Sequence, residues 1–147
     1  MSASMIVMVA LVGVLFLVVL ALSYRLWKLG QGGTPAILRD SPAVGGHGWR
    51  HGVIRYCGDE ARFYQLSSLR LWPDRRLGRR GLEVVSRRGP FGDEFDIMTE
   101  EIVVLELQDS TGPQVRAYEM ALDRGALTAF QSWVESRPSP RARRRSP

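Results

Sequence analysis

The 147-residue chain has few of the residues that most chemical sites need. It contains one cysteine, Cys57, and two histidines, His47 and His51. A single cysteine excludes an intrachain disulfide framework and fits a reducing compartment, and we expect Cys57 to be a small buried residue of a strand. Lys28 is the only lysine among twenty basic residues, a bias typical of genome composition and not of a binding device.

Motifs for metal, nucleotide or nucleophile chemistry are also missing. His47 and His51 have a metal-ligand spacing only on a helix, and the surrounding glycines argue against one. No phosphate-binding GxxxxGK[ST] motif occurs, and the acidic run "GDEFDIMTEE" lacks the spacing of a calcium loop. We therefore predict no metal site, no cofactor and no enzyme, and we interpret the acidic run as a solvated loop before a strand at Ile102.

One long apolar run stands at the N-terminus. "MIVMVALVGVLFLVVLAL" is uncharged and continues to Tyr24, so a helix over about residues 5–24 is long enough to cross a bilayer. The preceding "MSAS" has no basic residue, unlike the start of a signal peptide, although "ALS" at 21–23 leaves cleavage as the alternative. The sequence predicts a membrane anchor with its basic flank over residues 1–28.

The charged flanks of this run predict its orientation. Arg25, Lys28 and Arg39 follow it, and no charged side chain precedes it. Because positively charged flanks remain in the cytoplasm, we expect a single-pass protein whose N-terminus lies outside the cell and whose remaining chain lies in the cytoplasm. Tyr24 and Trp27 lie where interfacial aromatic residues are common. The predicted location is the cell membrane.

The remaining chain divides by composition. Residues 29–48 are rich in glycine and proline and predict a linker. A β-rich domain is predicted over 49–136, with strand patterns in "WRHGVIRYC", "RFYQLSS", "LRLW", "LEVVS", "EIVVLELQ" and "QVRAYEMAL". An apolar stripe behind the N-cap candidate Asp123 predicts a C-terminal helix over 124–135, and residues 137–147 predict a disordered basic tail.

This order of elements predicts a mainly-β fold, a sandwich or barrel followed by one helix, as in pleckstrin-homology-like domains. The chain resembles an actinobacterial family of uncharacterised single-pass membrane proteins that is classified as a domain of unknown function. The stretches that carry the resemblance are "GWRHGVIRYCGDEARFYQLSSLR", "LEVVSRRGP" and "LTAFQSWVES". The resemblance covers most of the chain. It implies a possible partner in ATP synthase, because genes of that family often lie near those of its subunits, and it implies no catalytic residues.

Arginine pairs form the main candidate for a binding site. From Arg62 to Arg88 there are eight arginines against two acids, whereas from Gly92 to Glu135 there are ten acids against two arginines. Turn signals place the first two pairs in a turn or irregular hairpin, and strand alternation separates Arg87 from Arg88. The candidate patch for anionic lipid or a partner is Arg75, Arg76, Arg79 and Arg80.

Three interpretations of this patch stay open: a solvated and internally compensated hairpin, contact with anionic lipids, and contact with nucleic acid. Tethering to the membrane favours lipid over nucleic acid, for which two flanking aromatic residues are a thin stacking platform. We predict a non-enzymatic membrane-anchored scaffold or binding module with the bilayer as its partner through residues 5–24. The alternative is an accessory or assembly subunit of a larger membrane protein complex.

Overall fold

The computed structural model describes residues 2–43 and 45–136, and only the backbone of Leu29 and Gly30. The predicted tail 137–147 lies outside the described residues. The chain divides into two compact units, Met1–Gly32 and Gly33–Pro147, which are described separately below. The helices and strands, in chain order, are α1 Ala3–Gly30, β1 Thr34–Ser41, β2 Arg50–Cys57, β3 Glu60–Gln65, β4 Arg75–Gly78, β5 Leu82–Arg88, β6 Val103–Asp109, β7 Arg116–Leu122 and α2 Arg124–Glu135.

The first unit is the helix α1, which contains the predicted span 5–24. Its 26 residues Ala3–Lys28 are long and apolar enough to cross a membrane. At 1.5 Å per residue they extend about 39 Å, against about 30 Å for the hydrocarbon core of a bilayer. None of this apolar surface is buried by the described part of the protein.

The second unit is built on one curled antiparallel sheet of seven strands, followed by α2. The strand order is β4-β3-β2-β1-β7-β6-β5, so β1 lies at the centre and pairs with both β2 and β7. The predicted fold class, an apolar N-terminal helix and a mainly-β domain with one C-terminal helix, is confirmed. The pleckstrin-homology-like assignment stays a prediction.

The concave face of the sheet holds the main core, which α2 helps to close. Phe130 of α2 is fully buried, and Trp133 packs against it and against Tyr56. Trp133 Nε1 also donates a hydrogen bond to the carbonyl of Gly58 at 2.9 Å. Asp123 caps α2 as predicted, because its Oδ1 accepts from the backbone N–H of Ala126 at 2.7 Å.

A smaller core lies on the opposite, outer face of the sheet. Met98 packs there with Val104 and Ala121, and partly buried Ile37, Trp49 and Ile102 complete the cluster. The segment between β5 and β6, which includes a short 3₁₀ helix at Gly92–Asp96, supplies Met98 and therefore covers part of this face. This covering segment is the acidic run that the sequence predicts to be a solvated loop.

The prediction of a linker over residues 29–48 is wrong, because β1 occupies its middle. Ala36 and Leu38 of β1 are buried in the main core at 5% and 3% exposure. β1 is hard to detect from the sequence because it has only eight residues, is flanked by glycines and contains Pro35, which interrupts the strand signal. Only three residues, Gln31, Gly32 and Gly33, connect α1 to β1.

The strand predicted from "LRLW" is also wrong. Residues 66–74 form an irregular connection, and the strand that follows β3 is β4, in what the sequence predicts to be a turn. Leu77 anchors β4 because its side chain is fully buried opposite Ala61 of β3. Leu69 and Leu71, by contrast, are 75% and 84% exposed, so their apolar character does not mark a strand.

Candidate functional site

The four arginines of the predicted patch do not lie on one surface. Arg75 and Arg76 are neighbours on β4, and consecutive residues of a strand point to opposite faces. Arg75 donates to both carboxylate oxygens of Asp40, at 3.2 and 2.8 Å. This guanidinium holds the pKa of Asp40 below its ordinary value. Arg76 lies 3.9 Å from Glu60 on the other face.

Arg79 and Arg80 share a different acid, Asp59. Arg79 donates to Asp59 Oδ1, and Arg80 lies 3.1 Å from Oδ2. The hydrogen bond from Arg79 holds the pKa of Asp59 below its ordinary value. Arg79 also donates to Ser136 Oγ at 2.7 Å, so it fastens the end of α2 to the β3–β4 region. The four arginines are therefore divided among three carboxylates.

A different set of arginines does come together, across three neighbouring strands. Arg55 of β2 is the register partner of Arg62 on β3, and Arg62 is the register partner of Arg76 on β4. Directly paired residues share one face of a sheet. The adjacent pair Ile54 and Phe63 lies in the main core, so the three arginines lie on the outer face. We call Arg55, Arg62 and Arg76 the arginine row.

Glu60 forms ion pairs with two members of the arginine row, Arg62 and Arg76. Glu60 Oε2 accepts from Arg62 Nε at 2.8 Å, and its Oε1 lies 3.9 Å from Arg76. The Arg62 and Arg76 side chains are 39% and 59% exposed, so both reach solvent. Arg55 also stands over the ring of Tyr64, 6.0 Å from its centroid.

A buried cluster of two arginines and two glutamates lies farther along the outer face, on β1, β5, β7 and the covering segment. Arg39 Nε donates to Glu119 Oε2, and Arg39 Nη2 lies 3.2 Å from Glu94 Oε1. Arg88 donates to Glu94 at 2.7 and 2.9 Å and to Glu119 at 2.8 Å. Formal charges cancel within the cluster, which suits a structural role.

Local contacts complete this cluster and set its electrostatics. Arg39 stacks on Trp49, 4.3 Å from the ring centroid, and donates to the carbonyl of Gly45 at 2.6 Å. Arg88 holds the pKa of Glu94 below its ordinary value. Burial raises the pKa of Glu119, but hydrogen bonds from Arg39 and Arg88 outweigh it, so that pKa is also lowered. Both carboxylates are therefore ionised at neutral pH.

A cleft of about 450 Å³ opens beside the ends of β1 and β3 and the starts of β2 and β4. Its lining includes Arg50, Arg70, Asp74 and the Arg75–Asp40 pair. The cleft carries both signs of charge, and Asp74 is engaged as an acceptor from the backbone of Gln65 at 2.8 Å. This mixture of charges does not favour one class of ligand over another.

Beside the cleft, residues 66–72 present a set of exposed apolar side chains that we call the apolar loop. Leu66, Leu69, Leu71 and Trp72 are 44%, 75%, 84% and 62% exposed. Exposed apolar residues are common singly, but four within seven residues mark a surface suited to a partner. This surface could not be predicted from the strand patterns "RFYQLSS" and "LRLW", because they assign the same residues to strands.

The histidine and cysteine side chains are the remaining candidates for chemistry. Among residues 2–43 and 45–136, no group of three or more His, Cys, Asp or Glu side chains is arranged to hold a metal ion. Cys57 ends β2 as expected for a strand residue, but its side chain is exposed and not buried. It lies two residues from Arg55 on the outer face, because residues two apart in a strand share a face.

Sequence reasoning missed the buried cluster and the arginine row for one physical reason. Their members come from strands distant in the chain, and Arg39 pairs with Glu119 across 80 residues. Arg39, assigned to the basic flank of the span, is 4% exposed inside the domain. Glu94, assigned to a solvated loop, is 1% exposed. The available signal was the alternation in "TPAILRDS", which places Arg39 on the face opposite Leu38.

Fold and site together define an apolar helix long enough to span a membrane, joined to a mainly-β domain with one C-terminal helix. The chain belongs to the family described as "Protein of unknown function (DUF2550)", whose model matches residues 11–140. The resemblance to a domain-of-unknown-function family is thus confirmed.

Curated relatives extend over nearly the whole chain. An uncharacterized protein of Mycobacterium tuberculosis (strain ATCC 25618 / H37Rv) is 77% identical over 146 residues, which are 99% of each chain. An uncharacterized protein of Mycobacterium leprae (strain TN) is 73% identical over 146 residues, again 99% of each chain. No solved structure matches the chain.

Proposed function

We propose that the chain is a single-pass protein of the cell membrane whose β domain is a non-enzymatic binding module in the cytoplasm, in contact with anionic lipid. The observation that carries this proposal is the surface of α1. Its large apolar side chains from Met5 to Leu22 are exposed, and the described part of the protein buries none of this apolar segment. Such a surface is stable in hydrocarbon and not in water.

The charged flank of α1 supports the orientation. Arg25 and Lys28 follow the apolar segment, whereas the residues before it carry no basic side chain. Arg39 no longer contributes to this flank, because it is buried in the domain. Two basic side chains after the apolar segment and none before it still favour a cytoplasmic location for the β domain.

The short connection supports a role close to the bilayer. The residues Gln31, Gly32 and Gly33 link the end of α1 to Thr34, and this link reaches about 14 Å when fully extended. A domain on so short a tether meets lipid headgroups at high effective concentration. Weak surface contacts are then sufficient for binding.

The single exposed thiol of the chain tests anchor and orientation together. Cys57 should react with a membrane-impermeant maleimide only after cells are opened, and the labelled protein should retain the mass of the full chain in the membrane fraction. Labelling of Cys57 in intact cells would contradict the cytoplasmic location. A mass lacking the first 23 or so residues would show cleavage and contradict the anchor.

The apolar loop favours a second candidate function, an accessory or assembly subunit of a larger membrane complex. Its Leu71 and Trp72 are exposed in a form suited to a protein interface, where aromatic residues are enriched at the centre. The complex implied by the family resemblance is ATP synthase.

Purification in mild detergent tests this candidate. The full chain should retain a stoichiometric membrane partner, and Leu71→Asp should release that partner while Val85→Asp, a matched change at an exposed position of β5, should not. Equal retention by both variants, or no stoichiometric partner, would argue against a docking role for the apolar loop.

A further inference from the structure

The covering segment between β5 and β6 exposes apolar side chains to solvent. Two of its side chains, those of Glu94 and Met98, are turned inward and are 1% and 4% exposed. Phe91, Phe95 and Ile97, in contrast, are 62%, 49% and 38% exposed. Three large apolar side chains within seven residues form a surface suited to a partner.

Four exposed carboxylates belong to the same segment, which contains no basic residue. They are Asp93, Asp96, Glu100 and Glu101. Within residues 2–43 and 45–136, none of the four forms an ion pair with an arginine or lysine side chain, whereas Asp40, Asp59 and Glu60 each do. The covering segment therefore combines exposed aromatic rings with unpaired negative charge, and a positively charged partner complements it.

The chain itself supplies a segment of that chemistry. The basic tail, "RPSPRARRRSP" at residues 137–147, has five arginines, three prolines besides its last residue's neighbours of serine and alanine, and no acid. Guanidinium groups pair with carboxylates and stack on aromatic rings, and prolines pack on aromatic surfaces. Arg88 already lies over the ring of Phe91, 4.7 Å from its centroid, so the segment accepts an arginine in this way.

The tail is long enough to reach the covering segment. The helix α2 starts beside that segment, because Leu122 pairs with Val103, two residues after Glu101. From Asp123 to Ser136 the helix extends about 20 Å, so the path from Ser136 back to Glu101 measures at most about 36 Å. Because that path turns, the direct distance is shorter. Eleven extended residues span about 36 to 40 Å.

We propose that the basic tail binds the exposed face of the covering segment of its own chain. Its arginines pair with the four unpaired carboxylates, and its prolines and guanidinium groups pack on Phe91 and Phe95. Both parties belong to the second unit, so this contact is independent of α1 and of the proposed lipid contact.

Intrachain cross-linking of the full chain in detergent tests the contact. In a Cys57→Ser background, Thr99→Cys in the covering segment and Ala142→Cys in the tail are treated with a short bismaleimide. The comparison chain carries Ala142→Cys with the native Cys57, which is exposed and precedes Gly58, the acceptor of Trp133 near the end of α2. After correction for the reactivity of each thiol, the yield with Thr99→Cys should be about fivefold higher.

Substitutions assign the effect to the proposed surface. Glu101→Gln and Phe95→Ala should each lower the yield with Thr99→Cys by about threefold, and high salt should also lower it. Glu83→Gln is the matched control, because Glu83 is an exposed acid of β5 outside the segment. Unchanged melting by circular dichroism shows that each variant is folded.

Three results would overturn the proposal. The first is a yield with Cys57 equal to or above that with Thr99→Cys. The second is an equal effect of Glu101→Gln and Glu83→Gln. The third is a product that joins Thr99→Cys to a second copy, or in native membranes to another protein, in place of Ala142→Cys, because the occupant would then be a separate molecule.

Discussion

Arg88 holds Glu94 by two hydrogen bonds, from Nη1 to Oε2 at 2.7 Å and from Nη2 to Oε1 at 2.9 Å. Glu94 is 1% exposed and also faces Arg39, so its removal leaves two guanidinium groups with one carboxylate between them. We expect Glu94→Ala to lower the free energy of unfolding by about 3 kcal/mol, within the range for breaking a buried ion pair. Thermal unfolding of the full chain in detergent, followed by circular dichroism, measures the effect.

Glu101→Ala provides the matched control for this substitution. Glu101 is an exposed acid near the end of the same covering segment, so its loss should change stability by about 0.5 kcal/mol or less. Equal effects of Glu94→Ala and Glu101→Ala would contradict a structural role for the buried cluster.

The same cluster predicts sensitivity to acid. The pKa values of Glu94 and Glu119 are both held below the ordinary value of 4.5 in the folded protein. The stabilisation they provide is complete above pH 4.5 and is lost as the pH falls through their folded pKa values, because the unfolded state binds protons first. The melting temperature should therefore be level above about pH 5 and decline below it. Glu94→Gln should flatten that decline, and an unchanged profile would contradict this linkage.

Arg79 and Arg80 should respond differently to substitution, although they are neighbours in the predicted patch. The Arg79 side chain is 13% exposed and bonds Ser136, whereas that of Arg80 is 70% exposed. We expect Arg79→Ala to destabilise the domain by about 1 kcal/mol, and Arg80→Ala to have almost no effect. Chemical denaturation of the two variants compares them directly, and an equal loss would show that Arg79 does not fasten α2.

Gly52 of β2 occupies a position where no side chain fits. A Cβ at this position would overlap the ring of Phe63 and the carbonyl oxygen of Tyr64 on β3. Gly52→Ala should therefore destabilise the domain by about 2 kcal/mol or more, as overpacking does in other cores. Gly89→Ala is the matched control, because no atom lies within 4 Å of its added Cβ. Equal melting temperatures for the two variants would contradict the close packing of β2 on β3.

The predictable parts of the fold are those in which neighbouring residues carry the signal. The apolar run of α1, the alternation of β6 and the stripe of α2 are local patterns, and the helix bounds 124–135 agree with the structure. β1 was not predicted, because its signal is short and its stability comes from pairing with strands on both sides. A soluble fragment that begins after the predicted linker would lack this central strand.

The candidate site was less predictable than the fold, because the pairing register between strands decides which side chains come together. The sequence shows pairs such as Arg75–Arg76 and Arg79–Arg80, which β4 and its turn divide between two surfaces. It cannot show that Arg55 and Arg62 are directly opposite, because a shift of one residue in pairing would turn either side chain to the core. Positive charge is visible in the sequence, but the surface that collects it follows from the register.

The pairing of Arg39 with Glu119 has a consequence for synthesis of the protein. β1 leaves the ribosome first of the strands, yet its partner β7 is encoded about 80 residues later. At 5 to 20 residues per second, β1 waits roughly 4 to 16 s with one edge uncovered. The domain therefore completes its sheet only after β7 has been synthesised, and a chain that stops before β7 exposes the edge of its central strand to aggregation.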